Sequence, residues 1–341
     1  MNPLVLFLRA FLFTLLYISV TYPQISWGIN TFTGINFAYG SDIANESDVI
    51  LGLDGNIEYT FAQDNREASF LLRAKPELLG FNNKLVSAKL KARGRYFQQE
   101  ENFNWGINLT RQYNTFDGDY FNLHYDIFIL NAQASLFFID NAPVSLNLGY
   151  AYQITKDMVE QNIDLLFFDG KFFTRFGFLK IGYGIYVERF KILYEQREQP
   201  AFKNSNTGWR VGPQISLNYL KDYIFSAEYR FLFHDSPVTE YLSYDQWIRL
   251  LAGKFIFDDI SVFILIDFYS RNYRLKDDTF DAQPIVYFPI DQENNFYFKV
   301  EYDWSEIFST YIKTGYNKEN FVVNNQSISG WNLLIGAEIG D

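Results

Sequence analysis

The chain has 341 residues, no cysteine, a net charge of -11 and a sequence pI near 4.8. That length allows two ordinary domains or one large barrel; the acidity argues against nucleic acid as a partner, and the missing thiols exclude disulfides, thiolate metal sites and a lipidated cysteine. Aromatic residues make up 20% of the chain, and a mean hydropathy of -0.13 beside a hydrophobic fraction of 48% fits half-buried strands better than membrane helices, whose apolar runs are long and unbroken.

Met1 to Leu8 lead to Arg9 and then to the apolar run Ala10 to Val20, which has the length of a signal-peptide core and is too short to span as a helix. We assign residues 1–26 to a signal peptide, with cleavage between Thr21 and Gly28 and a retained N-terminal anchor as the alternative. No Gly/Ser linker or charge block marks a domain boundary, so residues 27–341 are read as one domain.

Alternation then dominates. Trp27, Ile29, Thr31, Thr33, Ile35, Phe37 and Tyr39 share one parity, against Gly34, Asn36 and Ala38. The second segment sets Leu51, Leu53, Gly55, Ile57, Tyr59 and Phe61 against Asp54, Asn56, Glu58 and Thr60, and Gln63-Asp64-Asn65 turns the chain. The third places Phe70, Leu72 and Ala74 outward and Arg73, Lys75 and Glu77 inward, with Pro76 expected near a rim because it removes a ladder donor. The fourth, Val86 to Tyr96, is the most telling. Its even positions are apolar or small, while Ser87, Lys89, Lys91, Arg93 and Arg95 fall together on the other face. A helix would scatter those cations around its circumference.

The fifth segment alternates Phe103, Trp105, Ile107 and Leu109 with Asn104, Gly106, Asn108 and Thr110; the sixth runs from Tyr120 to Ile139, and the seventh from Val144 to Gln153. Further strands are expected at 161–175, 178–194, 208–220, 223–234, 241–257, 260–273, 295–303, 307–316 and 327–339. Asp169-Gly170 has the composition of a hairpin turn, and a phase change between Arg249 and Lys254 predicts a bulge there. The pattern predicts an all-β fold: a closed antiparallel transmembrane β-barrel of about sixteen strands, most of them as long as the roughly 9–11 residues a tilted crossing needs. Tight connections at Lys221-Asp222 and Asp258-Asp259 alternate with longer ones at 198–206, 276–290 and 317–326, and aromatic residues gather toward strand ends as two girdles. A soluble sandwich would use the same periodicity but pack its apolar faces on each other.

On these residues the chain resembles the bacterial outer-membrane β-barrels, and in length, acidity and lack of cysteine it looks like a sixteen-stranded porin. The resemblance is architectural, covers about Trp27 to Ile339 and includes no family motif; the chain ends Glu338-Ile339-Gly340-Asp341 where the class commonly ends in an aromatic residue. It implies the outer membrane of a Gram-negative cell, contact with outer-membrane lipid and the barrel-assembly machinery, and allows a homotrimer or a periplasmic partner.

The candidate site is a lumen-lining basic wall of Arg73, Lys75, Lys89, Lys91, Arg93 and Arg95, with Asp54, Glu58 and Glu77 as lumen acids. A wall of one sign concentrates counter-ions and steers anionic solutes, unless the three acids neutralise it as a salt-bridge network. Other inward positions carry both signs: Lys180, Glu188, Arg210, Glu228, Arg230, Asp267, Lys299, Glu301 and Lys313. Inward Gly182, Gly184 and Gly212 leave either a smooth patch for a solute or room for a bulky neighbour. With His124 and His234 as the chain's histidines, a His-rich metal centre is not expected, and Ser135 has the wrong parity to serve as a nucleophile beside His124 and Asp126. No catalytic residue, metal site or cofactor is assigned. The expected function is passive passage of small polar or anionic solutes. Export of a secreted polymer such as an exopolysaccharide is the alternative, for which Tyr186, Tyr269, Tyr297 and Tyr311 would suit sugars, and a plugged structural or assembly barrel is the third reading.

Overall fold

The computed structural model describes residues 24–40, 46–80, 85–118, 122–137, 143–155, 162–192, 207–235, 241–275, 295–320 and 327–340. They form sixteen strands: β1 (Gln24–Gly40), β2 (Glu46–Gln63), β3 (Arg66–Gly80), β4 (Leu85–Gln99), β5 (Phe103–Asp117), β6 (Asn122–Leu136), β7 (Val144–Thr155) and β8 (Ile163–Phe176), then β9 (Leu179–Ile192), β10 (Thr207–Leu220), β11 (Ile224–Asp235), β12 (Tyr241–Phe257), β13 (Ile260–Leu275), β14 (Asn295–Ser305), β15 (Phe308–Asn320) and β16 (Ser327–Gly340). Each strand pairs antiparallel with its sequence neighbours, and β16 closes on β1 through Gly28↔Gly340 to Gly40↔Ile328. Closure leaves no unpaired edge, which a sheet in hydrocarbon requires.

The alternation decides which face goes where. Leu90, Leu148 and Ile335 are 51%, 55% and 59% exposed, and Ile25, Phe37, Leu166, Ile215 and Ile312 on the same outer face are also exposed. A soluble sandwich would bury these side chains against a second sheet. Here one sheet curls on itself and turns them outward, so the apolar face is the lipid face.

The two ends differ. Asp64–Asn65, Gly177–Phe178, Asp258–Asp259 and Glu306–Ile307 make tight turns at the end where β1 starts and β16 finishes. Gly177 adopts a φ of 60°, a left-handed geometry that a tight hairpin requires and that glycine adopts without steric penalty. Aromatic pairs mark both boundaries: Tyr96–Trp105, Tyr219–Tyr223 and Tyr302–Trp304 at the tight-turn end, with ring centroids 5.3, 4.6 and 4.7 Å apart, and Tyr316–Trp331 at the other, 5.7 Å apart.

Several expectations change in detail. Asp169-Gly170 is not a turn; both residues lie inside β8, paired with Asn147 and Leu146. The irregularity of β12 falls between Phe255 and Phe257, nearer the turn than the phase change implied. Pro76 sits within β3, opposite Ala88, at a break in the β2–β3 ladder between the Gly52↔Glu77 and Gly55↔Ala74 pairs, as its missing N–H demands. β6 is shorter than expected, and residues 317–320 belong to β15 rather than to a connection. The leader to residue 23 and the connections at 198–206, 276–290 and 321–326 lie outside the described residues.

Candidate functional site

The register puts the predicted basic wall on two adjacent strands facing the interior. Arg73 stands opposite Lys91 and Lys75 opposite Lys89, with Arg93 and Arg95 continuing along β4 opposite Leu71 and Ser69. The three predicted acids lie beside them. Arg73 donates from Nε to Asp54 Oδ1 at 2.7 Å and forms an ion pair with the same carboxylate, Lys75 pairs with Glu77 at 2.7 Å, and Arg93 reaches across β3 to Glu58 at 3.3 Å. Arg95 lies over the Phe97 ring at 5.4 Å. Three of the six cations thus pair with the three predicted acids, and both Arg73 and Arg93 keep a large solvent-facing surface at 46% and 34% exposure. Lys75 also lies over the inward Phe32 ring at 5.8 Å.

The far side of the lumen is built differently. Arg210, 2% exposed, forms ion pairs with Glu188 at 3.1 Å and Asp245 at 3.3 Å. Tyr186 donates to Glu188 at 3.0 Å and Tyr269 to Asp245 at 2.8 Å, which completes a buried cluster over β9, β10, β12 and β13. The Arg230 guanidinium lies 4.0 Å from the Tyr186 ring and 4.4 Å from the Trp247 ring. Trp247 donates to Asp267 at 3.0 Å, and Arg249 pairs with the same carboxylate at 3.4 Å.

Two contacts skip intervening strands: Lys171 of β8 pairs with Glu228 of β11 at 2.7 Å, and Arg230 of β11 with Asp169 of β8 at 3.5 Å. Such pairs cut a chord across the curve of the wall and narrow the lumen. A cavity of about 210 Å³ lies against this cluster, lined from Asn108 and Thr110 on β5 to Tyr269 on β13, strands half-way round the closed sheet from each other.

Glu188, Arg210, Glu228, Arg230 and Asp267 are lumen positions by parity alone, but their contacts with one another and with Asp169, Lys171, Asp245 and Arg249 depend on closure. The alternation also reads as a polar lumen. Instead Ile127, Ile129, Ala151, Ile163, Leu165 and Phe190 pack together on the inner face of β6 to β9, with Tyr125 and Phe167 against them. The inward glycines serve neighbours rather than a smooth track: a Cβ at Gly182 would collide with the Phe173 ring and Ser216, and one at Gly184 or Gly212 with the carbonyl of Gly170 or Phe231. His124 and Asp126 face outward, His124 against Asp117 at 2.7 Å and Asp126 against Arg111 at 2.7 Å, while Ser135 lies on the inward face opposite Asn104.

An even-stranded closed sheet with a lipid-facing apolar surface and a charged interior defines an outer-membrane β-barrel. No protein-family model matches the chain, and neither does any curated protein. Among solved structures it is similar to OccAB4 of Acinetobacter baumannii, with 7% identity, a TM-score of 0.47 and coverage of 95% of this chain and 100% of that one. It is also similar to the toluene transporter TodX of Pseudomonas putida, with 9% identity, a TM-score of 0.44 and coverage of 93% and 89%. CdiB of Acinetobacter baumannii, at 9% identity and a TM-score of 0.46, is covered over 60% of its length by 90% of this chain.

Proposed function

We propose that the protein is a passive channel of the outer membrane for small polar solutes, biased toward anions. The observation that carries this reading is the run of six inward cations on the adjacent strands β3 and β4, with guanidinium groups of Arg73 and Arg93 that remain open to the lumen. A solute would diffuse along this wall, where its negative charge is favoured, and past the chord of Lys171–Glu228 and Arg230–Asp169, which limits its width. We further propose that the leader is removed before Gln24, because Gln24, Ile25 and Ser26 already pair with Thr60, Tyr59 and Glu58 in the barrel wall. Vesicles containing the refolded barrel are expected to swell in isosmotic arabinose faster than protein-free vesicles; equal rates would count against an open pore.

A further inference from the structure

Next to the basic wall lies an arc of inward carboxamides. In one row around the barrel Arg95 of β4 stands opposite Asn108 of β5, and Asn108 opposite Asn131 of β6. We infer that this row is a binding site for an acidic saccharide, a sugar bearing a carboxylate, on its way through the lumen; the inference rests on the channel reading and names its solute class.

The amides carry the argument. The side-chain oxygens of Asn108, Asn131 and Asn147 are buried with no hydrogen-bond partner among the described residues. Buried polar atoms without partners are costly, so three in one patch call for something that supplies donors. A sugar hydroxyl both donates and accepts, so it matches a carboxamide whichever way the amide is turned. A hydrocarbon would leave them unmatched.

Two neighbours extend the fit. Asn131 is in register with Gly149, and Gly149 with Phe167; the Phe167 ring lies across Gly149, where any Cβ would collide with it. Phe167, partly buried and backed by the nearly parallel Tyr186 ring, 21° apart with centroids at 6.3 Å, offers its ring to the apolar face of a pyranose. All five side chains, Asn108, Asn131, Asn147, Phe167 and Tyr186, line the same cavity of about 210 Å³. Arg95 stands one strand beyond Asn108 and forms no ion pair among the described residues, unlike Arg73 and Arg93, so its guanidinium is placed to receive a carboxylate.

The test is a titration of the folded barrel in detergent with glucuronate, glucose and acetate, read by tryptophan fluorescence through Trp247 in the same cavity, with current block in planar bilayers beside it. Glucuronate is expected to bind about ten-fold more tightly than glucose or acetate. Arg95→Gln should abolish the advantage over glucose, and Asn108→Ala with Asn131→Ala should weaken both sugars. Asn131→Asp, which keeps the side-chain size, should weaken glucuronate selectively and provides the check if the alanine pair does not fold. Glucuronate binding no better than acetate, or unaffected by the asparagine changes, would overturn the site. A folded wild type that binds glucuronate but carries no current would instead defeat the channel reading and leave the site standing.

Discussion

Leu90 provides a sharp test of which face meets lipid. It is 51% exposed on the outside of β4, between Lys89 and Lys91, which point into the lumen. Tyr96 and Trp105 mark the boundary at the tight-turn end, and Leu90 lies six residues up the strand from Tyr96. At about 3.3 Å per residue and a tilt of roughly 45°, it stands ~14 Å above that boundary, near the bilayer midplane. Leu90→Arg should therefore cost about 2–4 kcal/mol, roughly a 30- to 900-fold drop in the folding equilibrium constant, although both of its neighbours are already cations. Reversible denaturant titration in phospholipid vesicles, followed by tryptophan fluorescence, measures it. Lys89→Leu, one residue away on the other face, should stay within about 1 kcal/mol. A cost below about 0.5 kcal/mol for Leu90→Arg would refute the assignment of faces.

Other consequences follow from the contrast between exposed and buried charge. Arg210→Ala removes a buried countercharge from Glu188 and Asp245 and should cost about 3–5 kcal/mol in the same titration, with Glu188→Gln and Asp245→Asn added to it recovering much of the loss. Arg73→Ala, on a side chain 46% exposed, should change stability by less than about 1 kcal/mol. Lys171→Ala with Glu228→Ala removes one chord and should raise single-channel conductance, on the order of half again; an unchanged conductance would mean that the chord does not limit flow. N-terminal sequencing of the mature protein should find a first residue no later than Gln24, and a start at Trp27 would show that the first three paired residues of β1 are dispensable.

Period-two alternation made the barrel legible because one face of most strands is apolar and the other polar; Val86 to Tyr96 alone specified both the strand and its inward cations. The acids of the wall were legible too, since Asp54, Glu58 and Glu77 share the inward parity on neighbouring segments. Where both faces are apolar the signal fades: Ile127-Phe128-Ile129-Leu130 reads as one continuous run, which hid the inward cluster of Ile127, Ile129 and Leu165. Contacts that span the lumen were out of reach for another reason. Lys171 and Glu228 lie three strands apart, and only the closed curvature of the wall brings their charges together. The carboxamides of β5 were visible as polar positions, but their alignment with Asn131 and Gly149 depends on register, which alternation fixes only to parity.

An open pore whose ion preference is set by β3 and β4 has a direct electrical signature. A single net positive charge about 7 Å from a permeant anion, in water at physiological salt, favours it by roughly 0.25 kcal/mol, about a 1.5-fold enrichment. Reversal potential in a potassium chloride gradient across a planar bilayer measures this directly, for the wild type and for the variant with Lys89, Lys91, Arg93 and Arg95 all changed to Glu. Stable conductance is expected in both, with an anion preference in the wild type that turns to a cation preference in the variant. Identical reversal potentials, or no conductance from correctly folded wild-type barrel, would contradict it.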